Sequence, residues 1–232
     1  MADARGLAGN RVAIVTGGSR GIGREAVHRL ASLGYALVVN YLHDQPTAES
    51  TVEAILDNKG TAVAIRADVS DDLDVERLFH QAVETFGAVD AVVHAVRGQV
   101  SAVSAADVTP AEFDLLLLTT VRATFGVNRA AAQCVRNGGA IINLVGSVSS
   151  ALMPAYGAYA VTATAIDKLT RALAIDLRHR DITVNGVSLH MDKPCAPGRV
   201  ADVIAFLLSD EGHDITGQVM HLDQLLQRPE SE

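Results

Sequence analysis

A chain of 232 residues, 49% hydrophobic and 20% charged, has enough apolar content to fill one large core. A formal charge of −8, no tryptophan and few aromatics exclude a phosphate-tracking, base-stacking nucleic-acid surface. No apolar run reaches the roughly 18 residues of a membrane span, and the N-terminus lacks a charged-then-apolar signal segment, so a cytoplasmic protein with no membrane partner is expected.

Cys134 and Cys195 stand far apart without a CxxC or histidine-rich setting, which predicts reduced thiols and no metal site. In chain order, β-branched runs alternate with helix-length segments: RVAIVT (11–16), YALVVN (35–40), TAVAIR (61–66), VDAVVH (89–94), AIINLV (140–145), ITVNGVS (182–188) and QVMHL (218–222). Runs this apolar are buried on both faces. They predict an α/β fold, a single doubly wound Rossmann-type domain over 1–232, with a parallel sheet of about seven strands and helices on both faces. Helix starts agree with this reading. Ser70 precedes a turn rich in Asp71, Asp72 and Asp74, and TPAE (109–112) offers a capping threonine, a proline at the first helical position and a glutamate to close a capping box. Only a polar tail, 227–232, is set apart.

TGGSRGIG (16–23) directly follows the first strand and opens a helix. Gly17 permits the tight turn, Gly21 lets the backbone approach a diphosphate, Gly23 permits close helix packing, and the helix N-terminus offers free N–H groups around Ser19 and Ile22. This predicts a dinucleotide site. NAD-binding chains usually end the second strand with an acid for the ribose hydroxyls. This chain has Asn40 and Tyr41 there, and Arg20 supplies a cation for a 2′-phosphate, which favours NADP(H); Asp44 is an acid nearby.

Together with ADVS around Asp68 and Val69, FGAVDAVVH (86–94), GGAIINL (138–144), AYGAYA (155–160), DITVNGV (181–187) and DITGQVMHLD (214–223), the glycine loop resembles the short-chain dehydrogenase/reductase family over nearly the whole chain. The likeness is greatest to its ketoacyl-carrier-protein reductase branch. The resemblance implies an adenine contact at Asp68 and an Asn-Ser-Tyr-Lys catalytic set, of which only Tyr159 carries over. The lysine position, four residues on, is Ala163, and a phenol of ordinary pKa about 10 needs a nearby cation to transfer protons at neutral pH. Lys168, nine residues on, falls on the opposite helix face. The serine position is Gly146, with Ser147, Ser149 and Ser150 close by, and a one-residue adjustment would bring Ser147 into the site. The asparagine position is Thr120.

The family's NNAG after the fourth strand is HAVR (94–97), placing Val96 and Arg97 where small residues make room for the cofactor; Arg97 either fills the pocket or reaches a phosphate. The family's PG after the sixth strand is Leu189 and His190. His94 and His190 are candidate replacement acid/base groups, against ordinary packing or surface roles. Between 190 and 199 the family's substrate lid is missing.

Taken together, these losses point to a degenerate subunit that assembles with an active NADP-dependent paralogue in a mixed tetramer. The resemblance implies action at the β-carbon of an acyl group tethered to an acyl or peptidyl carrier protein, as in aminocoumarin antibiotic biosynthesis. The stripe Ile166, Leu169, Leu173 and Leu177 on the helix from Gly157 to Arg178 is a candidate partner face, unless it faces its own sheet. Two other readings stand open: an active NADP(H) oxidoreductase rebuilt around Tyr159, Ser147 and a histidine, and an NADP(H)-binding sensor without catalysis.

Overall fold

Every one of the seven apolar runs becomes a strand: β1 (Val12–Thr16), β2 (Ala36–Tyr41), β3 (Thr61–Arg66), β4 (Val89–His94), β5 (Val135–Ser147), β6 (Thr183–His190) and β7 (Val219–Leu222). The computed structural model describes residues 11–96, 103–147, 155–190 and 195–222. The strands form one parallel sheet in the order β3-β2-β1-β4-β5-β6-β7. Alternate side chains feed two cores. Ile14, Val38, Val92 and Ile141 pack under α3 (Asp72–Phe86), α5 (Ala123–Cys134) and α6 (Gly157–Asp176). Val15, Leu37, Val93 and Ile142 pack under α1 (Gly21–Ser32), α2 (Gln45–Asp57) and α7 (Pro197–Leu207).

Because the chain runs outward from β1 to β3 and then returns to β4 beside β1, a crevice opens at the carboxyl ends of those strands. β5 is longer than its apolar run. It starts at Val135, which pairs with Val89, and the ladder resumes only at Ala91 and Ala140. The residues between are accommodated by Gly138 at φ 77°, a left-handed conformation that glycine adopts without strain. Asp90 holds this corner by accepting bonds from the Val12 N–H (2.7 Å) and from Arg136.

The cap of α3 is Asp71, not Ser70: its carboxylate accepts from the N–H groups of Leu73 (2.9 Å) and Asp74 (3.0 Å), while the Ser70 hydroxyl donates to Asp68. Asp is as good a cap as Ser, and only one residue can stand at the boundary. The TPAE capping box forms as expected, with Thr109 and Glu112 exchanging bonds at the start of α4 (Pro110–Leu116). A π turn over Leu117–Arg122 joins α4 to α5 and rotates Thr120 into the interior; such turns occur often at functional sites.

The candidate stripe on α6 is largely turned inward. Ile166 and Leu177 are buried and Leu173 packs on the core, so these residues are not a free partner face. The buried face also carries Tyr159, Thr162 and Thr170, and Thr170 Oγ1 accepts a bond from Asn143 Nδ2 (3.0 Å). The exposed apolar residues of this region are instead Val161 and Ile175 on α6 and Phe125 on α5. Among the described residues no helix is long and apolar enough to cross a membrane, and no group of His, Cys, Asp or Glu is placed to hold a metal ion. The polar tail, Arg97, Ser149, Ser150 and part of the segment expected to lack a lid lie outside the described residues; β6 ends at His190 and α7 begins at Pro197.

Candidate active site

The glycine loop is fixed by β2. The Gly18 N–H donates to the Asn40 carbonyl (3.0 Å), and the Gly17 N–H reaches Asn40 Oδ1 (3.3 Å). Asn40 Nδ2 in turn bonds the carbonyls of Tyr41, Ile65 and Ala67, so this buried amide ties β1, β2 and β3 together at the crevice. Gly17 and Gly21 take positive φ (64° and 53°). At Gly23 a β-carbon would collide with the Gly17 carbonyl, which fixes glycine at that position by helix packing. Arg20 stands at the N-cap of α1 in extended conformation with no side-chain cap bond, leaving the helix N-terminus open to an anion.

A cleft of about 790 Å³ lies along this loop, within the usual range of small-molecule sites. Gly17, Ser19, Arg20, Asn40, Tyr41, Asp68 and Val69 all line it; Gly21, Ile22 and Gly23 lie in the first turn of α1 behind it. His43 and Ser70 also border the nucleotide end; Ser70 closes the ADVS motif, whereas no sequence motif singles out His43. Asp44 is engaged elsewhere. Its carboxylate accepts from the Thr47 hydroxyl (2.7 Å) and N–H (3.1 Å) as the cap of α2. These bonds hold it below the usual carboxylate range, with a smaller contribution from the Arg20 charge. Asp44 lines the cleft together with Arg20 and Asp68.

Beyond the loop the cleft turns toward α4, where Val108, Leu115, Leu116 and Thr119 form one wall and Ala155, Ala158 and Tyr159 the other. The run of four leucines, Leu115–Leu118, is the sequence signal for this wall, since four consecutive apolar residues cannot share one helix face. Ala155 sits at φ 71°, an uncommon conformation for a residue with a β-carbon.

The catalytic positions have an arrangement of their own. Tyr159 is 3% exposed, and its hydroxyl occupies the space that a β-carbon at Gly146 would need. One turn along α6, Ala163 presents no polar group, and Lys168 is exposed, near Asp167 (3.8 Å). Thr120 is buried and does not line the cleft; its neighbour Thr119 does. Ser147 and His190 end β5 and β6 as register partners.

Of the two roles weighed for His94, the structure gives packing: the side chain does not line this cleft. It is fully buried, with Nδ1 2.8 Å from Thr16 Oγ1, and burial pushes its pKa down to about 4. Val96 leans across the loop, its Cγ2 3.1 Å from where a Gly17 β-carbon would lie.

The family model described as enoyl-(acyl carrier protein) reductase matches residues 17–191. A versicolorin reductase of Emericella nidulans is 34% identical, with 92% of this chain and 94% of that protein covered. The chain belongs to the short-chain dehydrogenase/reductase family. A tetrahydroxynaphthalene reductase of Pyricularia oryzae is 33% identical over 92% of this chain and 88% of its own length. Among solved structures, a short-chain dehydrogenase of Burkholderia cenocepacia in complex with NADP superposes with a TM-score of 0.85 at 29% identity, covering 92% of this chain and 96% of that one. This short-chain dehydrogenase/reductase thus keeps the family's glycine loop and parallel sheet.

Proposed function

We propose that this chain is the degenerate member of a mixed short-chain dehydrogenase/reductase assembly, paired with an active NADP-dependent paralogue. The reaction served is oxidation or reduction at the β-carbon of a carrier-protein-tethered acyl group in secondary metabolism. The observation that carries the reading is Tyr159 seated against Gly146 with Ala163 one turn on. Proton transfer from a phenol near neutral pH requires a cation beside it. Among the described residues lining the cleft, Arg20 is the single guanidinium or ammonium group, and it lies at the nucleotide end.

That end fits a 2′-phosphorylated adenine nucleotide. The open N-terminus of α1 and Ser19 face the diphosphate, Arg20 the 2′-phosphate, and Asp68 and Val69 the adenine. A bound NADPH would bring a hydride. Exposed Phe125, Val161 and Ile175 supply apolar surface for a partner subunit. Co-expression with an active short-chain reductase from the same organism tests this. A stable mixed complex by native mass spectrometry, turning over faster than the paralogue alone, is expected; a chain that forms only its own oligomer and turns over unaided would contradict it.

A second reading, an active NADP(H) reductase of aromatic polyketide-type ketones, is favoured by the names of the relatives and the apolar wall on α4. It requires Tyr159 to donate its proton without a lysine, and Tyr159→Phe would then abolish turnover.

A further inference from the structure

The turn that follows β2 is held from two sides. Arg66 Nε, at the end of β3, donates to the Leu42 carbonyl (3.0 Å), and the Asp44 carboxylate accepts from Thr47 at the start of α2. His43 stands between these two anchors, exposed and lining the cleft beside Arg20, Tyr41 and Asp44. The backbone beneath its imidazole is therefore already placed, which lowers the ordering cost of a ligand contact there.

The fixed charges around this turn do not by themselves favour an anion. Along the nucleotide end of the cleft Arg20 stands with the carboxylates of Asp44 and Asp68, and Tyr41 adds a phenol. Arg20 is near enough to Asp44 for its charge to help hold that carboxylate below the usual range. The Asp68 carboxylate accepts from the Ser70 N–H (2.9 Å) and hydroxyl (2.6 Å). Arg66 is turned to the Leu42 carbonyl and does not line the cleft. A phosphate monoester carries close to two negative charges near neutral pH, so one guanidinium among carboxylates leaves it short of positive charge. Among the described residues lining that end, His43 is the side chain that can supply a second cation. An imidazole gains its proton in the neutral range, and a neighbouring phosphate favours the charged form.

We infer that His43 joins Arg20 in gripping the 2′-phosphate, so that preference for NADPH over NADH strengthens as pH falls from about 8.5 to about 6.5. This rests on reading the cleft as an NADP(H) site, as proposed above, and adds to that site a second specificity residue and a pH dependence.

Calorimetric titration of the full chain and of His43→Gln with NADPH and NADH, at about pH 6.5 and about pH 8.5, tests this. Titration of the 2′-phosphate itself affects both proteins, so the ratio of their NADPH Kd values isolates the imidazole. His43→Gln should bind NADPH about fivefold more weakly than the natural chain at the lower pH and within about twofold of it at the higher, with NADH affinity the same in both proteins. His43→Lys, which keeps its charge, should hold the tighter NADPH affinity at the higher pH. A ratio that does not change with pH, or an equal loss of NADH affinity, would overturn the role of His43 and leave the nucleotide reading standing. Failure of the natural chain to bind either nucleotide at millimolar concentration would overturn both.

Discussion

At Gly146 the absence of a side chain and the position of a tyrosine are a single structural fact. The Tyr159 hydroxyl fills the volume that any β-carbon at 146 would claim, so restoring a serine there forces the ring to move. Gly146→Ser should lower stability by about 1–3 kcal/mol, the usual cost of overpacking. The loss in Gly146→Ser with Tyr159→Ala should be smaller than the sum of the single losses, as coupled neighbours require; denaturant midpoints measure both. Ala163→Lys alone should leave NADPH oxidation at background, because a lysine does not supply the hydroxyl that Gly146 lacks. A large rate gain in that variant would show that lysine was the sole deficit.

His94 gives a pH signature. Its folded-state pKa, about 4, lies below the ordinary 6.5 because burial disfavours the imidazolium form. Above pH 6.5 both folded and unfolded chains hold it neutral and its contribution is fully present. Between 6.5 and 4 only the unfolded chain takes up the proton, so stability falls with falling pH by about 1.4 kcal/mol per unit. Below about 4 this group takes nothing more. His94→Asn should flatten the curve in that window.

Among the elements, α3 depends on Asp71. Asp71→Ala should cost about 1 kcal/mol through two lost cap bonds, read as a lower thermal midpoint, whereas a cap at Ser70 would leave that variant unchanged. The sequence shows the sheet clearly because doubly buried strands are continuous apolar runs bounded by turns. It hides the extension of β5, since Arg136–Gly139 has the composition of a turn, and the ladder resumes there only because Gly138 takes a left-handed conformation beside Asp90. On α6 the leucines suggest an outward stripe, yet the helix is oriented by Thr170 against Asn143 and by buried Tyr159, Thr162 and Ile166. Polar residues at core positions carry no periodic apolar signal, so the helix phase cannot be read from leucines alone. The glycine loop is legible because each glycine meets a local backbone or packing demand. Tyr159 over Gly146 is not, because their contact forms between β5 and α6 and depends on how those two elements pack.

For the whole molecule, the formal charge of −8 is compatible with a chain that works through apolar contact at chosen places. Phe125 is 54% exposed and Ile175 76%. If those side chains bury against a second subunit, Phe125→Glu with Ile175→Glu should shift the mass by light scattering to that of a monomer while the circular dichroism stays that of the folded chain. An unchanged oligomer would place the interface elsewhere. The proposed reading is of a subunit that keeps the architecture of a short-chain reductase and serves the chemistry of a partner. The measurement that tests this most directly is transfer of deuterium from NADPH labelled at the hydride position. The chain would be offered alone to β-ketoacyl thioesters and to polycyclic hydroxyquinones, with products read by mass spectrometry. No label above the protein-free control is expected; stereospecific labelling that disappears in Tyr159→Phe would show a working active site and contradict the degenerate-subunit reading.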